Sequence, residues 1–250
     1  MFRVKRAIIM AAGFGSRLRP ITIETPKPLI KVNGVRMIDT IIEGLIENEI
    51  LEIYIIVGYL KERFEQLLTD YQDRRSSKGG QVKLKVIENP YYNQCNNISS
   101  LYVARDCLSE CVIIDGDQIL KNKGILYPYV EHSGYCSSWC EGTTDEWLQQ
   151  INEEGIVKGC SRTGGRKGWE LHGVSFWSEE DCKKLKKYLI KEFEEKHNNQ
   201  IYWDDLAMFC YRDDFQLGIR KISLEDIIEI DNIKELIRID SSYKEIKNGK

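Results

Sequence analysis

Apolar residues follow two alternating periods along the first half of the chain. Residues 6–12 (RAIIMAA) form an unbroken apolar run, the pattern of a strand buried on both faces. MIDTIIEGLIENEI then puts Ile38, Ile41, Ile42, Leu45 and Ile46 on one side of a helix. LEIYIIVGY predicts the next strand, and LKERFEQLLTDY a helix with Leu60, Phe64, Leu67 and Leu68 inward. QVKLKVIENP alternates in period two, NISSLYVARDCL has helical spacing, and ECVIIDGD is a buried strand ending in acids. Strand–helix alternation predicts an α/β fold. Its sheet is open and mixed, mostly parallel, flanked by helices and joined by right-handed crossovers. Ligands of such sheets bind outside the carboxyl ends of the strands. The loop at Gly13, Gly58-Tyr59, Glu88-Asn89 and Asp115–Asp117 all fall there.

Beyond about residue 125 the texture changes to short strands and turns. ELHGVSFW predicts another strand, SEEDCKKLKKYLIKEFEEKHNNQ an amphipathic helix and IYWDDLAMFC a short one. LGIRKISLEDIIEIDNIKELIRIDSSY gives a last strand, a turn and a closing helix. No repeat or linker interrupts the chain. The expectation is one domain over residues 1–250, with 1–125 forming a nucleotide-binding part. Residues 126–250 would form a small acceptor-binding insertion or lid and close the sheet.

Composition narrows the function classes. A net charge of -3 gives no electrostatic reason for a nucleic-acid partner. The eight cysteines show no metal spacing, which suggests free thiols in a reducing compartment. The N-terminal apolar stretch is too short for a signal core or a membrane span. A cytoplasmic protein with no membrane partner is expected; composition does not address the oligomeric state. His132, His172 and His197 have no evident partners, and no Ser/His/Asp or Cys/His constellation is visible.

The loop after the first strand, AAGFGSRLRPITIETPKPL, carries the chemistry. It is not a P-loop, because Gly-Lys-Ser/Thr is absent, and Leu18 stands where a dinucleotide fingerprint needs a third glycine. Glycines let backbone approach a phosphate closely, and successive N–H groups form an anion-binding concavity. Arg17 can fork onto phosphate oxygens. Lys27, between Pro26 and Pro28, is a stiffened charge suited to a transferring phosphoryl group.

This loop resembles the signature of the nucleotidyltransferase superfamily that acts on sugar nucleotides and choline phosphate, A-G-x-G-x-R-(L)-x-P-x-T-x-x-x-P-K-P-L. VGYLKERF, CNNISSLYVARD, VIIDGDQIL, GVSFW, YWDD and IIEIDNIKEL extend the resemblance over most of the chain. They are most similar to the bacterial CTP:phosphocholine cytidylyltransferase branch. The resemblance implies a Rossmann-like fold and transfer of CMP from CTP to phosphocholine, with Mg²⁺ and release of pyrophosphate. A 2-aminoethylphosphonate cytidylyltransferase and a sugar-1-phosphate nucleotidyltransferase are the alternatives. A non-catalytic nucleotide-binding protein is a distant one.

Residue by residue, the resemblance implies catalytic roles for Lys27 and Arg17. It gives nucleotide binding to Ala12, Gly13, Gly15, Ser16, Arg17, Gly58, Tyr59, Asn97, Ser99, Ser100 and Asp115, and metal ligation to Asp117 and Asp231. Asp115 reads equally as a strand-end cap, Asp231 also as the N-cap of the last helix, and Glu229 as a surface residue. All five tryptophans lie in the second half. A quaternary ammonium is bound by aromatic faces beside an acid. TDEWL and IYWDD therefore make Glu146, Trp147, Tyr202, Trp203 and Asp204, with neighbouring Asp205, the acceptor-binding candidates; ordinary aromatic packing is the competing reading. RTGGRKG (residues 162–168) reads as a flap reaching the acceptor phosphate or as a solvated hairpin tip.

Overall fold

The computed structural model describes residues 1–244. Strands β1 (Arg6–Ala11), β2 (Glu52–Val57), β3 (Lys83–Glu88) and β4 (Cys111–Asp115) form the parallel half of the central sheet. A short β5 (Gln118–Leu120) follows, and then β6 (Gly134–Thr144), β7 (Leu148–Ile151), β8 (Val157–Ser161) and β9 (Gly165–Trp177). β10 (Gly218–Ile222) and β11 (Ile227–Glu229) come last, and four two-residue strands lie outside this numbering. The order across the sheet is β8-β7-β9-β4-β1-β2-β3, with β6 on the second edge of β9 and β10 parallel to β6. The sheet thus runs unbroken across residue 125.

β1 is central because both its faces are apolar: Ala7, Ile8 and Ile9 are fully buried. Helix α1 (Met37–Glu47) covers one face with the predicted stripe of Ile38, Ile41, Ile42, Leu45 and Ile46. On the other face α3 (Ile98–Val103) and α4 (Glu179–Ile190) pack with Trp177, Trp203 and Leu206 in a second cluster. Helix α5 (Ile233–Ile239) closes a third, smaller one around Leu18 and Met37. Among the described residues no helix is long and apolar enough to cross a membrane.

Three local expectations differ from the structure. Leu60 adopts a positive φ of 51° and opens a 3₁₀ turn, so α2 spans only Glu65–Tyr71 and Leu68 is half-buried. The second half is less fragmented than its glycines suggest, because β6 and β9 are long partners paired from Gly134–Phe176 to Thr144–Gly165. Gly165–Gly168 therefore belong to a strand, and Lys167 pairs with exposed Glu141 at 2.9 Å. Only residues 162–164 form a turn, so the segment as a whole is not a free tip.

Candidate functional site

β1 ends at Ala11, and the chain turns over the strand tips through Ala12–Gly15. Gly15 takes φ +60°, and a Cβ there would lie 2.9 Å from Thr22 Cγ2 and 3.1 Å from Lys27 Cβ. Only glycine lets these segments close together. The Thr22 hydroxyl donates to Gly15 O at 2.9 Å and ties the loop to the turn that leads to Lys27. Among the described residues the Gly13, Phe14 and Gly15 amides donate to no protein acceptor, a set of donors of the kind that suits an anion.

Ala12, Gly13, Gly15, Ser16, Arg17, Lys27, Asn97, Ser100, Asp115, Asp117 and Asp231 line one cavity of about 320 Å³. Three nucleotide candidates stand behind it instead. An added Cβ at Gly58 would meet Tyr92 at 2.6 Å and Ala12 O at 3.0 Å, so Gly58 exists for close packing under the loop. Tyr59 donates its amide to Ala12 O at 3.2 Å and packs its ring on Phe14, 5.1 Å between centroids. Ser99 is buried, donating to Asn96 O and accepting from Asn89 Nδ2 at 2.9 Å, while Asn89 also donates to Ser100 Oγ at 3.0 Å. These residues position the lining rather than form it.

Lys27 is 8% exposed. Its Nζ donates to Asp117 Oδ2 at 2.6 Å and to Asp231 Oδ1 at 3.1 Å. Burial alone would lower this amine, but Asp117 and then Asp231 outweigh it and hold it above the ordinary lysine value. Arg17 donates to the same Asp231 oxygen at 2.7 Å. The helix-cap alternative for Asp231 is removed by its neighbour: Asn232 caps α5, accepting from the Lys234 and Glu235 amides. Glu229 is exposed, as a surface residue would be, but it is not isolated. It joins Asp117 and Asp231 in a cluster in which one carboxylate oxygen from each lies within 4.8 Å of the others. Loss of hydration where the cleft walls crowd its carboxyl, then the charges of Asp117 and Asp231, push it up to about 8. β11 pairs with β5 in the register Glu229–Gln118, a long-range contact no local pattern announces.

Among the described residues, Asp117 Oδ1 is buried without a hydrogen-bond partner. With Asp231 and Glu229 beside it, this oxygen belongs to an all-oxygen donor set of the kind that fits a divalent cation. Asp115, behind the cluster, is held well above the carboxylate range by burial and then by Asp117, Asp204 and Glu229.

A second cavity, about 340 Å³, adjoins the first and shares Arg17, Asn97, Asp115 and Asp231 with it. The acceptor candidates Glu146, Trp147, Tyr202, Trp203 and Asp204 line it, together with Tyr135, Gly173 and Glu229. Trp147 and Tyr202 meet edge to face at 5.9 Å. Trp203 packs against Tyr135 and Trp177, and its amide donates to Asn97 Oδ1 at 2.9 Å, joining the two cavities. Tyr135 OH donates to Asp204 Oδ1 at 2.9 Å, and burial pushes Asp204 up to about 7. Asp205 turns away and accepts from Arg162. Trp139 and Trp169 pair with each other across the antiparallel β6–β9 ladder, and Trp177 is core. His172 is buried against Ser138 at 2.9 Å.

The nucleotidyl transferase family model matches residues 6–132, a span holding the glycine loop, Lys27 and Asp117. A 2-aminoethylphosphonate cytidylyltransferase of Lancefieldella rimae is 33% identical over 239 residues, 95% of this chain and 92% of that protein. A choline-phosphate cytidylyltransferase of Streptococcus pneumoniae is 31% identical over 96% of this chain and 98% of its own. The solved structure of CTP:phosphocholine cytidylyltransferase from Streptococcus pneumoniae superposes with a TM-score of 0.84 at 31% identity, over 97% of this chain and all of that one. Its glycine loop, its lysine and its full-length relatives agree: the chain belongs to the nucleotidyl transferase family and is a nucleotidyltransferase.

Proposed function

We propose that the protein is a Mg²⁺-dependent cytidylyltransferase that converts CTP and phosphocholine to CDP-choline and pyrophosphate. The observation that carries this reading is the junction of two cavities at Arg17, Asn97, Asp115 and Asp231. One cavity has an amide-rich loop and a buried lysine, suited to a triphosphate. The other has aromatic rings beside carboxylates, suited to an ammonium. The cytidylyl group and the amino-alcohol acceptor are taken from what the full-length relatives are named to use.

The nucleophile needs no general base, because the second pKa of a phosphate monoester is about 6 and its dianion predominates at pH 7. The chain's task is to bring two anions together in line. The Gly13–Gly15 amides cradle the leaving phosphates. Lys27 and Arg17 offset charge developing on the α-phosphoryl group and on pyrophosphate. Asp117, Asp231 and Glu229 would hold Mg²⁺, which supplies further charge neutralisation between the reactants. Trp147, Tyr202 and Trp203 orient the acceptor's cationic end while Asp204 and Glu146 supply the opposing charge.

A second reading is 2-aminoethylphosphonate as acceptor. Asp204 and Glu146 in the cavity favour it, since a primary ammonium has N–H donors for carboxylates and a trimethylammonium has none. The test is pyrophosphate release with CTP, UTP, dTTP, ATP and GTP, each crossed with phosphocholine, 2-aminoethylphosphonate, phosphoethanolamine and glucose 1-phosphate. CTP with an amino acceptor is expected to be fastest. Turnover confined to glucose 1-phosphate would remove the amino-acceptor reading and leave the family intact.

A further inference from the structure

The turn at residues 162–164 lines neither cavity, yet it touches both segments that carry the acceptor-side aromatics. Arg162 Nε and Nη2 donate to Asp205 Oδ1 at 3.0 and 2.5 Å. The other oxygen of Asp205 accepts the Tyr202 amide at 3.0 Å. The same guanidinium stacks 3.8 Å from the Phe209 ring centroid and 5.8 Å from that of Trp147. Phe209 meets Trp147 edge to face at 5.4 Å. Gly164, at φ +71°, completes the contact from the other side: a Cβ there would lie 1.8 Å from Thr144 O and 2.7 Å from Asp145 Cα. The turn is thus seated directly on the backbone that leads into Glu146 and Trp147.

We infer that Arg162 is a positioning residue for the acceptor site. It brackets Thr144–Trp147 to Tyr202–Phe209 and so holds Trp147 and Tyr202 in one wall. Asp205 is 3% exposed, and Arg162 is its cation. Without that cation the buried carboxylate must turn towards water, and the Tyr202 amide loses its acceptor. Lysine cannot replace the guanidinium, because it lacks both the two-pronged donation and the flat face that stacks on Phe209. The acceptor wall then loosens while the glycine loop, held by Thr22 and Tyr59, does not.

The kinetic part of this inference rests on the transferase reading above; the structural part does not. The test uses the full chain with Arg162→Ala, Arg162→Lys and the milder Arg162→Gln. Amide hydrogen exchange over 144–150 and 202–210 should quicken at least about tenfold in all three, with β1, β2 and β4 unchanged. KM for phosphocholine or 2-aminoethylphosphonate should rise at least about tenfold, with KM for CTP within about twofold. Unchanged exchange in both segments would overturn the inference, as would equal rises in the two KM values. A wild-type protein that turns over neither acceptor would instead remove the functional reading, and the exchange measurement would still decide the positioning claim.

Discussion

Gly173, in the lining of the acceptor cavity, leaves no room for a side chain. An added Cβ would lie 2.1 Å from Asp115 Oδ2, 2.7 Å from Asp115 Cγ and 2.8 Å from Gln118 Nε2. Ordinary contact begins at about 3.4 Å, so Gly173→Ala forces the Asp115 carboxylate back by about 1.3 Å. Gly173 has no positive φ, so alanine adds no backbone strain. The ladder from Val174 to Trp177 against β4 has no reason to break. Asp115 lines both cavities where they meet, and displacing a group that positions the reactants by about 1 Å costs about 10²-fold. That factor corresponds to about 2.7 kcal/mol of transition-state stabilisation. Gly173→Ala should therefore lower kcat/KM about 100-fold in a pyrophosphate-release assay, while its thermal midpoint moves by less than about 4 °C, the equivalent of about 1 kcal/mol. Wild-type kcat/KM at an unchanged midpoint would refute the reasoning, because the junction would then tolerate a displaced Asp115.

Two further predictions concern charge. Lys27→Met should reduce kcat at least about 10³-fold with circular dichroism unchanged, since it removes the buried cation that faces the transferring group; an active variant would contradict the assigned role. Asp204 has a folded-state value of about 7, above the ordinary carboxylate value of 3.8, so it binds more protons in the folded than in the unfolded state between those values. Its cost to stability grows as pH rises through that window and is complete above about 7. Asp204→Asn keeps an acceptor for Tyr135 OH and should raise the thermal midpoint more at pH 8 than at pH 5, while raising KM for the acceptor at pH 8. An equal shift of the midpoint at both pH values would show that Asp204 is not a strained carboxylate.

The parts of the fold legible in the sequence were those whose signal is local. RAIIMAA announced a strand buried on both faces, and the stripe from Ile38 to Ile46 announced a helix, because each pattern records its own burial. The glycine loop and the proline-flanked Lys27 were likewise visible as contiguous residues. What stayed hidden depends on partners far along the chain. Glu229 joins Asp117 and Asp231 only through the β11–β5 register. Gly58 and Ser99 sit in the right segments, but their neighbours Tyr92 and Asn89 turn them into supports. The glycines of RTGGRKG suggested a loose loop. Gly164 is instead required by contact with Thr144, and Gly165–Gly168 run in a strand whose partner lies about 25 residues earlier. Asp205 resembled its neighbour Asp204 in sequence, yet the chain directs one into the cavity and the other to Arg162.

The central claim is that an acceptor phosphate attacks the α-phosphorus of CTP and expels pyrophosphate. The most direct measurement incubates the protein with Mg²⁺, CTP and phosphocholine or 2-aminoethylphosphonate carrying ¹⁸O in its phosphoryl or phosphonyl group, and analyses both products by mass spectrometry. The account predicts that the label is found in the cytidylyl product and that the pyrophosphate is unlabelled. Label in pyrophosphate, or no cytidylyl product with either acceptor, would contradict it.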